Sequence, residues 1–148
     1  PEHPVAADYN FSNNLSVYAD GKDVKVYGYV FKGNDALEDT DADWTDFMNA
    51  LDGTTAAKTI NVTYDVVAIP IGGGNTRTYQ FTDSNRGLNL RDVKLAVAPD
   101  GTHIIFSADS IPGLTVNQSV YGYEVTVTVT FKDDNGRTCT LSGSNVVG

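Results

Sequence analysis

Val120-Tyr-Gly-Tyr-Glu-Val-Thr-Val-Thr-Val-Thr-Phe131 alternates apolar and polar residues along its length. Successive side chains of a strand point to opposite faces. Tyr121, Tyr123, Val125, Val127, Val129 and Phe131 therefore share one face. Glu124, Thr126, Thr128 and Thr130 share the other, and Gly122 leaves a bare spot among them. A strand with one apolar and one polar face belongs to an antiparallel sheet, because a parallel strand buried on both sides reads as a continuous apolar run.

Working outward, the same period recurs. Leu15 to Ala19 and Asp23 to Phe31 flank Asp20-Gly21-Lys22, and Asp-Gly between apolar runs signals a hairpin. Lys58 to Ile69 sets Ile60, Val62, Tyr64, Val66 and Ala68 against Asn61, Thr63 and Asp65. Ile69-Pro-Ile-Gly-Gly-Gly-Asn75 breaks that run, and Thr76 to Thr82 returns as a partner. Leu88 to Ala98 and Thr102 to Ala108 flank the turn Pro99-Asp100-Gly101. Ile111-Pro-Gly113 opens a loop before the long strand, and Asp133-Asp-Asn-Gly136 turns it into Arg137 to Leu141 and on towards Val147. About eight strands at this spacing predict an all-β antiparallel sandwich or barrel.

A helix is expected to interrupt the strands near residues 43–52. Trp44, Phe47, Met48 and Leu51 fall at i, i+3, i+4 and i+7 and form one apolar stripe. Asp43 or Asp41 suits its N-terminus, Asp46 the positive end of its dipole, and Gly53 the C′ position. So short a helix is stable only when docked, which predicts that it lies on the sheets or plugs one end of them, with Trp44 as a packing anchor.

A chain of 148 residues with 41% hydrophobic content buries one core, so a single domain over 1–148 is expected, with 1–12 as a flexible or linker segment. Sixteen Thr and eight Ser supply much of the polar surface, and Thr suits the solvent face of a strand. A net charge of −9 argues against nucleic acid, which calls for a basic stripe, and against an anionic membrane surface. No apolar stretch reaches the length of a membrane span. Pro1-Glu-His-Pro4 is neither an initiator Met nor a signal sequence, which has the look of a processed or excised piece. Cys139 is alone, so no internal disulfide is expected, and its place between threonines reads as a small inward side chain.

Chemistry-bearing motifs are few. His3 and His103 with one Cys do not make a zinc set. Gly72-Gly73-Gly74 lacks the Lys and Ser/Thr of a phosphate loop, and no nucleophile elbow precedes a helix. The sequence thus reads as a protein that is not an enzyme. Between Lys32 and Lys58 there is no basic residue, while Asp35, Glu38, Asp39, Asp41, Asp43, Asp46 and Asp52 fall there. No cofactor is expected and the default reading is a solvated acidic loop; Asp39, Asp41 and Asp43 nonetheless have the alternate-carboxylate spacing that opens a calcium loop, so calcium is the alternative. Trp44 stands where such a loop needs its turn glycine and Ala50 where it needs its bidentate Glu.

Surfaces remain. Val-Tyr-Gly-Tyr occurs at Val26–Tyr29 and again at Val120–Tyr123. In the first copy Val24, Val26 and Val30 make the core face, which turns Lys25, Tyr27, Tyr29 and Phe31 outward; in the second the tyrosines join the valine face. Tyr27 and Tyr29 with Lys25 are candidate ligand-binding residues, for a sugar ring or a protein contact. Alternatively they lie beneath the apolar stripe of the helix. Asn10, Asn14, Asn61 and Asn117 open N-glycosylation patterns of a kind expected by chance in a chain this rich in Asn, Ser and Thr.

Thr-rich alternating strands, Asp-Gly turns, an acidic balance and the near absence of Cys and Met resemble the immunoglobulin-like modules of bacterial surface proteins. The resemblance implies an Ig-like β-sandwich in a secreted or cell-surface protein. Its implied role is structural or adhesive, through a protein partner or an adjacent module of the same polypeptide. A carbohydrate-binding module with a glycan partner on an exposed Tyr face is the alternative. Some such modules carry an internal Lys–Asn isopeptide bond assisted by a buried carboxylate; Lys25, Asn145 and Glu124 have a compatible order, although alternation puts Lys25 and Glu124 on wet faces.

Overall fold

The long alternating strand lies inside a sheet. In a computed structural model that describes residues 9–11, 15–38, 40, 59–86, 93–97, 101–111, 113–132 and 138–147, it spans Tyr121–Lys132 and is called β10 in an order that runs β1 (Tyr9–Asn10), β2 (Leu15–Asp20), β3 (Asp23–Tyr29), β4 (Phe31–Lys32), β5 (Asp35–Ala36), β6 (Thr59–Pro70), β7 (Arg77–Arg86), β8 (Val93–Val97), β9 (Ile104–Ala108), β10 and β11 (Thr138–Val146). All pairings are antiparallel. The protein is all-β, with three open sheets in the orders β11-β10-β6-β7, β2-β3-β9-β8 and β1-β4-β5. Among the described residues, eight strands of five residues or more make the two four-stranded sheets, and three two-residue strands make the third.

Register follows from burial. Val125 lies opposite Val66, Val127 opposite Tyr64 and Val129 opposite both Val62 and Leu141, so one row of β10 and β6, joined by Leu141 of β11, is apolar and buried. A slip of one residue would turn that whole row to solvent, which is why the register is specified. Val17, Val24, Val26, Ile104, Phe106 and Ala108 come from the other four-stranded sheet and join the same cluster. The hairpins form where their turn chemistry places them. Asp20 and Asp23 pair around Gly21-Lys22, where Gly21 has φ of 66°, a conformation glycine adopts without steric strain.

Phe11 sits where the sheets meet. Its ring is fully buried and centred 5.8 Å from that of Phe106. A Cβ on Gly28 would stand 2.9 Å from it, and one on Gly143 3.0 Å, so two glycines from different sheets form its slot. Within the segment 1–12 expected as a flexible or linker stretch, the described residues 9–11 are part of the fold: Tyr9–Asn10 pair with β4 and Phe11 is core. No α-helix occurs among the described residues; the helix expected over 43–52 lies outside them. Likewise, no described helix is long and apolar enough to cross a membrane.

Candidate functional site

Alternation along β3 buries Val24, Val26 and Gly28 and turns Lys25, Tyr27 and Tyr29 outward. The structure gives these three residues different neighbours. Lys25 Nζ lies 3.8 Å from Asp20 Oδ2, an exposed pair of little energetic weight. The half-buried Tyr29 ring is 5.7 Å from that of His103, whose Nε2 is 3.5 Å from Glu38 Oε2 across the Glu38–His103 bridge. Tyr27 is 37% exposed. It meets Tyr18, itself 40% exposed and diagonally opposite on β2, edge to face at 6.3 Å and 82°.

Tyr18 and Tyr27 look onto a groove of about 510 Å³ that Ser16, Val17, Asn145 and Val146 complete. The groove crosses the seam between the two large sheets, since β2 is an edge strand of one and β11 an edge strand of the other. Asn145 closes the seam by donating from Nδ2 to the Leu15 carbonyl at 2.8 Å, while its own Oδ1 accepts from the Val146 N–H at 2.8 Å. Val146 stands 58% exposed beside it. Replacing Asn145 with Ala would leave the carbonyl of buried Leu15 without this donor. We expect a loss of about 1–3 kcal/mol in a urea titration; an unchanged midpoint would show that water replaces the bond without loss.

A second concavity lies at the end where β6, β7 and β10 meet the loop at 113–117. Its lining is Ala68, Tyr79, Phe81, Gly113, Leu114, Thr115, Asn117, Tyr121 and Tyr123, around a volume of about 310 Å³. Tyr79 and Phe81 lie two residues apart on β7, with centroids 6.2 Å apart and planes within 21° of parallel. Gly113 has φ of 84°, and a Cβ there would be 3.2 Å from Phe81, so glycine is what lets the loop rest on that ring.

The isopeptide candidates are not brought together. Asn145 bonds to Leu15, Lys25 faces Asp20, and Glu124 lies exposed on the outward row of β10. Lys25 and Glu124 belong to different sheets, each on the row of its strand opposite the buried one. Asp39, Asp41 and Asp43, the calcium candidates, lie outside the described residues. Among the described residues no group of three or more His, Cys, Asp or Glu stands close enough to hold a metal.

Sequence reasoning marked Tyr27 but missed Tyr18 and Val146, whose closeness depends on how two sheets abut. It also missed Tyr79 and Phe81, although Arg77-Thr-Tyr-Gln-Phe-Thr82 carries the alternation that puts both rings on one face. No family model matches the chain, and no curated protein or solved structure matches it significantly.

Proposed function

We propose that this chain is a non-catalytic module of a secreted or surface-displayed protein and meets a protein partner, or an adjacent module of its own polypeptide, through the Tyr18–Tyr27 groove. The observation that carries the reading is the exposure of Tyr18, Tyr27 and Val146 together on one groove that spans two sheets. Exposed apolar side chains are ordinary when scattered; gathered in a concavity they mark contact surfaces. Tyrosine is favoured there because it offers a large apolar body, one polar tip and little rotamer entropy. Support for an Ig-like β-sandwich comes from two four-stranded antiparallel sheets that contribute to one apolar cluster.

The carbohydrate reading on Lys25, Tyr27 and Tyr29 is less well supported. Tyr29 is turned to His103, and the partner that Tyr27 does have stands nearly perpendicular to it. Two rings at 82° offer a cleft for a side chain rather than a flat platform for a sugar.

Binding of the purified chain to a panel of immobilised extracellular proteins, with a glycan array in parallel, tests the proposal. A protein ligand should emerge whose affinity falls roughly thirtyfold or more when both Tyr18 and Tyr27 become Ala, the size expected for a hot-spot pair. The variant should still fold cooperatively, with a loss of about 1–2 kcal/mol from the ring pair and its partial burial. Glycan binding lost on Tyr27→Ala would transfer the site to the carbohydrate reading.

A further inference from the structure

The geometry points to a separate binding site in the aromatic cleft at the β6–β7–β10 end, and its chemistry fits one neutral pyranose ring of a saccharide. The first observation is an inward-facing ring left open. Tyr79 lies opposite Val66 and Phe81 opposite Tyr64, both of which are fully buried, so the β7 row faces the core side of its sheet. Phe81 is half-buried under the 113–117 loop, yet Tyr79, next along the row, is 41% exposed. An aromatic on the core face that water still reaches lies at the mouth of a concavity.

The second observation is charge. The chain carries −9, yet none of the described lining residues is charged. Such a cleft gives a charged ligand no counterion and makes it shed water without return. It is lined by the rings of Tyr79, Phe81 and Tyr121 together with Thr115 and Asn117, whose side chains carry a hydroxyl and an amide. Aromatic faces are electron-rich and attract polarised C–H groups, while hydroxyls at the edge of a ring seek an amide or hydroxyl partner. A neutral pyranose carries both on one ring.

The third observation is that the cleft is already built. Val116 N–H donates to the Lys22 carbonyl at 3.0 Å, Leu114 N–H to the Ile111 carbonyl at 3.1 Å, and Val120 and Tyr121 N–H to the Asn117 carbonyl at 3.1 and 3.0 Å. Asn117 N–H donates to Tyr123 Oη at 3.0 Å, which fixes loop to wall. Asn117 Oδ1 accepts from Ser119 N–H and Oγ–H at 3.2 and 2.6 Å, so the end of the amide offered to a ligand is the Nδ2 donor. A loop tied down in advance leaves less ordering entropy to lose on binding.

The test is a titration of the 15N-labelled chain with methyl α- and β-glycosides of glucose, galactose and mannose, followed by amide shifts. Saturable shifts at Gly113, Leu114, Asn117 and Tyr121 are expected for at least one glycoside, with a millimolar dissociation constant typical of a single ring. Tyr79→Ala should weaken it about tenfold or more, while Tyr27→Ala leaves it unchanged. Matching trisaccharides distinguish a free sugar from part of a chain; equal affinity assigns a terminal ring and tighter binding an internal one, and both support the site. The absence of any saturable shift, shifts mapping to the Tyr18–Tyr27 groove, or saturation by N-acetylphenylalanine amide but by no glycoside would each overturn the proposal. The protein-contact reading of the other groove does not depend on the result.

Discussion

Phe11→Ala should lower the stability of this protein by about 3–5 kcal/mol, a large share of the roughly 5–15 kcal/mol typical of a folded domain. The ring is fully buried, packs on Phe106, and is held between glycines of two different sheets. Its removal loses apolar burial and leaves a void that backbone on both sides cannot quickly fill. The glycines make the argument sharper. Gly28→Ala would place a methyl 2.9 Å from the ring of Phe11 and 3.0 Å from Leu15 Cδ1, and Gly143→Ala would place one 3.0 Å from the same ring. Each alone should destabilise by about 1–3 kcal/mol through overpacking. Combined with Phe11→Ala, the same methyl enters the void, so the double variants should be more stable than the sum of the singles by about 0.5–3 kcal/mol. Urea titrations of the four members of each cycle measure this; strict additivity would mean that the slot does not couple the three residues.

The second large effect concerns the row that identifies the fold. Val127→Asp should abolish cooperative folding, at more than about 4 kcal/mol, because it buries a carboxylate between Tyr64 and the β11 strand, in a position that is fully buried. One residue earlier the outcome reverses. Thr126 points outward, level with Asp65, whose Oδ1 accepts from Gln80 Nε2 at 2.8 Å. Thr126→Lys should fold normally and gain as much as about 1 kcal/mol from the cross-strand charge pair, with the gain reduced by salt. Circular dichroism with thermal melting distinguishes the two. A Val127→Asp protein with a cooperative melt would show that the row does not face a dry core.

These contrasts explain what the sequence made legible. A period of two, kept over Val120–Phe131 and Lys58–Ile69, separates inside from outside without knowledge of partners, so the β10 and β6 rows and their hairpin neighbours could be read in advance. The Tyr-Gly-Tyr repeat shows the same strength. The valines beside its two copies predict opposite settings, and Tyr123 is buried where Tyr27 is 37% exposed, while Tyr29 and Tyr121 are both half-buried. Alternation is silent on which inward position lies under cover. Tyr79 belongs to an inward row, yet it stands open on a strand at the edge of its sheet, while Gly113 rests against its neighbour Phe81. It is equally silent on contacts between sheets. Nothing local to Phe11 announces that Gly28 and Gly143 will converge on it, and nothing local to Val146 brings it beside Tyr18.

The seam between β2 and β11 also has a mechanical meaning. Phe11 touches Gly143 and Leu15 bonds to Asn145, so the early chain and the late chain advance side by side in the same sense. Tension applied to the two chain ends would then pull these segments past each other lengthwise. In that shearing geometry the Asn145 clasp and the Phe11 wedge resist together rather than parting one after the other, as the rungs of a hairpin pulled open from its end would do.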